Sequence, residues 1–315
     1  VGAAIEPNEQ GDNTTLQHVT IHSDYDHVSW GELEPSVEQG ERWSIKEINS
    51  NYVSVQLEYR VRCKGEENDT DVYNVKEFFR VRHIPDVAKT YLLDYDRTMD
   101  QIFDPTKHVL NEKGVLLGIV PHDIPYMVNK DGSAVSFVVA NELWNYNKGT
   151  DQISLVFSFS DAENTDVRNR TAQHEGKLLE VDDTGNTTFA VYGYMNRGEH
   201  EGEVGVAIYY YDMEKNSVEE KVFISSNQSS GSVSNELGKL VYYCVNRAML
   251  YGMVEGTLYE HNVKKEDEGT LVNGLAATQY VVSDDGHQVA HQSGGAVNED
   301  RTIIVKNLSN GHERT

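Results

Sequence analysis

A glycine turn recurs along this chain and limits what it can fold into. Gly132 closes Asn129-Lys130-Asp131-Gly132, Gly185 closes Asp182-Asp183-Thr184-Gly185, and Gly286 closes Asp284-Asp285-Gly286. Glycine takes positive φ without steric cost, so such turns suit tight hairpins. About 53 positions separate Gly132 from Gly185, and about 101 separate Gly185 from Gly286, close to two blade-sized periods. Gly238, in Glu236-Leu237-Gly238, falls where the missing member is expected.

The strands after the turns echo one another. Ala134-Val135-Ser136-Phe137-Val138-Val139 corresponds to Thr188-Phe189-Ala190-Val191-Tyr192-Gly193-Tyr194, to Met249-Leu250-Tyr251-Gly252-Met253-Val254 and to Gln288-Val289-Ala290-His291. A further strand follows each, ending in a polar turn: residues 142–147, 207–212, 257–262 and 303–308. A period near roughly 50 with about four strands per unit is what a propeller blade requires. Each blade buries its faces only against its neighbours, so similar patterns must recur. The expected fold is all-β: a β-propeller of four-stranded blades, with about five repeat units visible.

Residues 1–49 read as a polar N-terminal lead-in with short strands, His18-Val19-Thr20-Ile21-His22 among them. The propeller is expected over 50–315, in units 50–110, 120–160, 177–225, 237–275 and 279–315. Its clearest blade is 126–159. The first unit opens with a hairpin of two alternating runs, 52–61 and 75–82, around the polar turn 64–71. Met99 through Phe103 could form a strand or a helical turn. The last unit stops after Asn307-Leu308-Ser309-Asn310-Gly311 with no outermost strand. Either residues 18–32 supply it, or the chain is part of a larger propeller. The start at Val1 rather than Met favours the second.

Charge narrows the partners. The chain has 51 acidic and 27 basic residues, a net of -24. A phosphate backbone and an anionic membrane surface would both be repelled, so no nucleic acid partner is expected. No apolar run approaches the roughly 20 residues of a membrane helix, so no direct membrane insertion is expected within the chain. Cys63 and Cys244 match no zinc or redox spacing. They could pair or stand as small buried hydrophobes. Sequons at Asn13, Asn68, Asn169, Asn186, Asn227 and Asn307 matter only in a secreted eukaryotic protein.

The densest ligand-type cluster is His22-Ser23-Asp24-Tyr25-Asp26-His27. On a strand, His22, Asp24 and Asp26 would share one face and could hold a divalent metal. A solvated polar segment is the plainer reading. Residues 161–166 place oxygen ligands at calcium-like spacing but lack the glycine and glutamate of an EF-hand loop. His174-Glu175 and His200-Glu201 do not extend to H-E-x-x-H, and no G-x-S-x-G or P-loop is present. The glycines in 193–198 lie between strands and read as a blade loop. Tyr209-Tyr210-Tyr211 with Tyr192, Tyr194 and Trp144 could stack on sugars. Core packing is the preferred reading, because alternate strand residues face neighbouring blades. No cofactor is expected.

Ser283-Asp284-Asp285-Gly286-His287-Gln288-Val289-Ala290, with Ile304-Val305-Lys306-Asn307-Leu308, resembles the repeat of TolB-like and WD40-like propellers. The runs 77–82, 91–103, 142–144, 192–198 and 253–259 resemble uncharacterised extracytoplasmic proteins of Gram-positive gut Clostridia. That resemblance spans most of the chain and implies a propeller-like body outside the membrane, secreted or anchored through a segment absent from this chain. It carries over no catalytic residue. The expected function is a non-enzymatic extracytoplasmic binding or scaffold module for a protein or cell-envelope ligand. The alternative is a glycan-active hydrolase or lyase with carboxylates at the propeller mouth. A purely structural spacer is a third reading.

Overall fold

The computed structural model describes all residues except 66–68, 161–172, 263–264, 266 and 294–301. Strand accounts for 52% of the chain and helix for 7%, so the all-β expectation holds. Contacts divide the chain into two units, Val1–Ile124 and Pro125–Thr315.

The N-terminal unit is a five-stranded antiparallel sheet. Its elements are β1 (His18–Thr20), the one-turn helix α1 (Tyr25–Val28), β2 (Ser36–Ile48), β3 (Val53–Lys64), β4 (Thr70–Ile84) and β5 (Lys89–Gln101). The strand order is β1-β5-β4-β3-β2, followed by a small ribbon of β6 (Leu110–Asn111) and β7 (Gly114–Val115). Val53, Val55 and Leu57 alternate with Ser54, Gln56 and Glu58, which suits a two-faced strand. Asn49 closes the β2–β3 hairpin, its side-chain oxygen accepting from the amides of Asn51 and Tyr52. Residues of the lead-in thus build both edges of the sheet, and the folded body begins well before residue 50. Met99 through Gln101 belong to β5, because β4 pairs with them through Val75 and Tyr73. The helical turn is not formed.

The C-terminal unit contains four four-stranded sheets, each laid down in chain order. The first is β8 (Tyr126–Val128), β9 (Ala134–Val139), β10 (Glu142–Asn147) and β11 (Gln152–Phe157). The second is β12 (His174–Val181), β13 (Thr187–Tyr194), β14 (Val204–Asp212) and β15 (Ser217–Ser226). Helix α2 (Ser230–Lys239) then precedes β16 (Val241–Cys244), β17 (Met249–Val254), β18 (Thr257–Asn262) and β19 (Asp267–Val272). The last is β20 (Tyr280–Val282), β21 (Gln288–Gln292), β22 (Ile303–Asn307) and β23 (Glu313–Arg314). All pairings are antiparallel, so the unit is a β-propeller-like repeat fold. The outermost strand that seemed lacking is β23, and residues 18–20 pair with β5 instead.

Each successive pair of sheets shares one apolar cluster. Val138 and Leu143 of the first sheet meet Phe189, Val191 and Tyr211 of the second. Ala190 and Ile208 meet Leu250 and Val254, with Val233 and Leu237 of α2 filling the gap. Tyr251 and Leu258 meet Val289 and Leu308. Sheet stacking of this kind is why the same pattern returns along the sequence.

The turns explain where the sequence period slips. Gly132, Gly185 and Gly286 all have positive φ, and each donates its amide to the residue three back. The third sheet has no such glycine. Its first turn is closed by Ala248 at φ 51, donating to Val245. Gly238 lies inside α2, which is an insertion between β15 and β16.

Gly185 and Gly132 differ in their surroundings. A Cβ at Gly185 would lie 2.6 Å from Met213 Cε and 2.8 Å from Ala134 Cβ, whereas one at Gly132 meets nothing within 4 Å. Gly132→Ala should therefore cost only its backbone strain, about 1 kcal/mol. Gly185→Ala adds overpacking and should cost about 3 kcal/mol. Urea midpoints of the two variants check this, and equal shifts would contradict the tight approach.

Candidate functional site

Among the described residues, those singled out from the sequence as metal ligands are not brought together. His22 follows β1, and its Nδ1 lies 2.8 Å from the Asn8 side-chain amide and 3.0 Å from the Glu6 carbonyl. Asp24 caps α1, accepting from the His27 amide (2.9 Å) and from His27 Nδ1 (2.8 Å). Asp26 lies in the helix itself. The strand that would have aligned the three side chains is not formed, because Asp24 starts a helical turn instead. Among the described residues no group of three His, Cys, Asp or Glu side chains is placed to hold a metal ion. The calcium-like stretch 161–166 lies outside the described residues, as do Asn68 and Asn169. Cys63 and Cys244 are both free and buried, in different units. Burial pushes the Cys63 thiol up to about 11.

The aromatic run packs between sheets. Tyr211 and Trp144 are buried, and Tyr209 stacks on Phe189 with ring centroids 5.3 Å apart. The Tyr211 hydroxyl donates to Asn216 (2.9 Å), and the Tyr146 hydroxyl donates to Asp151 (3.0 Å). Each ties the third strand of its sheet to the end of the following turn. Tyr192 donates to Glu175 (3.2 Å). Tyr210 is half-buried, with the Lys221 ammonium 5.3 Å above its ring. These residues hold sheets together and do not form an open stacking platform.

Several ionisable groups gather on β12. Burial alone lowers His174 to about 4 and also lowers Lys177, while burial and then Asp182 raise Glu180. Perturbed groups of this kind mark candidate acid–base sites when they converge. His174 and Lys177 do not converge. They lie three apart on a strand and face opposite sides. His174 packs edge-on against Phe159, centroids 4.5 Å apart. Lys177 reaches the Gly238 carbonyl at the end of α2 (3.5 Å).

Sequence reasoning passed over two buried charge clusters. In the C-terminal unit, Lys306 on β22 lies 2.9 Å from both Glu260 of β18 and Glu313 of β23. Glu260 also accepts from the Tyr251 hydroxyl (3.0 Å), which accepts from Arg247 (3.0 Å). Burial, then Glu260, pushes the Tyr251 phenol up to about 12. Both oxygens of Glu260 are thereby engaged, and the cluster ties the third sheet to the fourth.

In the N-terminal unit Arg97 is fully buried. Its guanidinium donates to the carbonyls of His27 (2.7 Å) and Val28 (3.1 Å) and lies 3.9 Å over the Trp30 ring. Glu77, its cross-strand partner, accepts from the Tyr95 hydroxyl (2.6 Å). The legible signal was phase: Glu77 falls between Val75 and Phe79 on the inward side of an alternating strand.

The same sheet face has an open corner. Pairing aligns Ile48 with Val53 and Val81, Ile45 with Val55 and Phe79, and Trp43 with Leu57. Trp43, Ile45 and Ile48 are 57%, 63% and 68% exposed, and Val37 on the same edge strand is exposed too. Exposed carboxylates border this strand at Glu32, Glu34, Glu38, Glu41 and Glu47. Of the neighbouring cations, Arg42, Arg62 and Lys64 are paired with Glu58, Glu38 and Glu34, and Lys46 on the same strand is exposed.

No protein-family model matches the chain, and no curated protein matches it. Solved structures do. TolB from Acinetobacter baumannii is 10% identical, with 87% of this chain and 67% of that chain covered and a TM-score of 0.34. Dipeptidyl peptidase 4 from Porphyromonas gingivalis is 9% identical, over 83% of this chain and 37% of that chain, with a TM-score of 0.37. Oligogalacturonate lyase from Vibrio parahaemolyticus is 6% identical, over 90% and 85%, with a TM-score of 0.27. No helix among the described residues is long and apolar enough to cross a membrane.

Proposed function

We propose that this chain is a non-enzymatic, extracytoplasmic binding module whose ligand is a basic protein segment with an apolar face. The observation that carries the proposal is the open corner of the N-terminal sheet. Exposed apolar patches on soluble proteins mark interaction sites. Trp43 is the anchor, since large aromatic side chains dominate binding energy at such patches. The glutamates along β2 and the net charge of -24 select a basic partner and raise its encounter rate. Repeated sheets of the propeller type serve as the scaffold, closed into a ring of blades in a clostridial cell-envelope setting. The hydrolase or lyase reading asks for converging acid–base groups, and His174 and Lys177 on β12 face opposite sides of their strand.

The test uses two labelled peptides of alternating valine with either lysine or glutamate, read by fluorescence anisotropy at low salt. The lysine peptide should bind and the glutamate peptide should not. Trp43→Gln and Ile45→Gln should each weaken binding by roughly tenfold, the effect of losing about 1.4 kcal/mol. Equal binding of both peptides, or undiminished binding to both variants, would overturn the proposal.

A further inference from the structure

The loop between β13 and β14, residues 195–203, is held at three places. Its ends are closed by the backbone, Met195 donating to Glu203 and Gly202 to Met195 (both 2.9 Å). Arg197 Nε donates to the Phe159 carbonyl (2.9 Å). The third hold is His200. Its ring lies flat on Phe223 of β15, centroids 3.7 Å apart and planes 11° from parallel. Nε2 lies 2.8 Å from Glu220, also on β15, and Nδ1 lies 3.6 Å from Glu203 at the loop's end.

We propose that His200 is a proton-operated latch, closed as imidazolium and released when it loses its proton. The geometry favours the charged ring at every point of contact. A cation is attracted to the face of an aromatic ring. Each ring nitrogen faces a carboxylate, Nε2 at hydrogen-bond distance and Nδ1 at ion-pair distance, and only the imidazolium carries a proton on both and a charge for both to attract. The groups facing the ring are Glu203 from the loop, Glu220 from β15, and Tyr209 of β14, whose hydroxyl shares Glu220. Glu219 and Lys221 pair with each other, and Lys221 covers Tyr210, which lies on the other side of β14. No cation faces His200 among the groups shown to interact with it. Partial burial pulls the His200 pKa down, but Glu220 and then Glu203 outweigh it and hold it above the ordinary histidine value. A raised folded-state pKa adds stability below the unfolded value, and that stability is lost as pH rises through the folded one. The latch therefore opens on the alkaline side.

Proton NMR of the whole chain gives the His200 titration, and hydrogen exchange corrected for intrinsic rate gives the protection of 195–203. His200 should titrate above the ordinary histidine value. Loop protection should fall as pH passes that point, while β13 and β14 stay protected. Glu220→Gln should lower the titration point by about one pH unit, a tenfold change in proton affinity. His200→Gln should leave the loop weakly protected at every pH. A titration at or below the ordinary value would overturn the proposal, as would loop protection indifferent to the His200 proton.

Discussion

Arg97→Ala should destabilise the N-terminal unit by about 3–5 kcal/mol, the loss typical of breaking a buried, hydrogen-bonded charge site. The side chain is fully buried and, together with the β1–β5 pairing and the apolar cluster of Val19, Ile21, Val28 and Tyr95, joins β5 to the segment carrying β1 and α1. Its removal leaves the Val28 carbonyl without its donor and takes the cation from the Trp30 face. It also opens a cavity against Trp30. Arg97→Lys retains the charge but loses the planar fork, so it should recover only part of the loss. The amides of Ile21 and Met99 report the docking directly, because they donate to Tyr95 and Gln17 across the same junction. Their exchange should accelerate in Arg97→Ala well beyond that of β3. If they remain as protected as in the wild type, the anchoring role assigned to Arg97 is wrong.

A second large effect should follow acid. His174 is 7% exposed and neither ring nitrogen has a hydrogen-bond partner among the described residues. Burial lowers it from 6.5 to about 4. The unfolded chain therefore binds a proton that the folded chain refuses, and stability falls as pH drops from about 6.5 toward 4. At the bottom of that window the loss is about 3 kcal/mol, at 1.36 kcal/mol for each pH unit. His174→Leu should abolish this component and leave the C-terminal unit more stable at low pH than the wild type. It sacrifices no hydrogen bond and keeps an apolar contact with Phe159. Urea unfolding at stepped pH measures it. A variant whose acid dependence matches the wild type would assign the loss to other groups.

The repeat of the C-terminal unit was legible because each sheet uses its side chains in the same way. Phe189 and Val289 occupy equivalent inward positions, as do the turn glycines 132, 185 and 286. The third sheet hid its turn because Ala248 adopts the left-handed conformation that glycine usually supplies. The insertion of α2 then shifted the count, so Gly238 matched the period by number and not by geometry. The ends were less legible. Strand β23 has only two residues, too short for alternation to show. Strand β2 carries five charged residues, Glu38, Glu41, Arg42, Lys46 and Glu47, and its bulges break the period-two pattern. The candidate site was hardly legible at all. Trp43 was visible, but the openness of its sheet corner depends on pairings between residues far apart in sequence. The ligand-rich stretch 22–27 misled because Asp24 serves its own backbone.

The pairing of β1 with β5 has a consequence for the order in which the chain acquires its structure. His18 stands opposite Thr98, so three residues of strand close a loop of about 80 residues. Every other neighbouring pair consists of strands consecutive in the chain. Local contacts form early and cheaply, whereas a long closure must wait until its docking surface exists. The segment 1–33 is therefore expected to be the last part of its unit to fold and the first to let go. A chain emerging from the ribosome would make this segment before the rest of its unit and place it last, leaving Val19, Ile21, Val28 and Trp30 without cover until β5 has been synthesised.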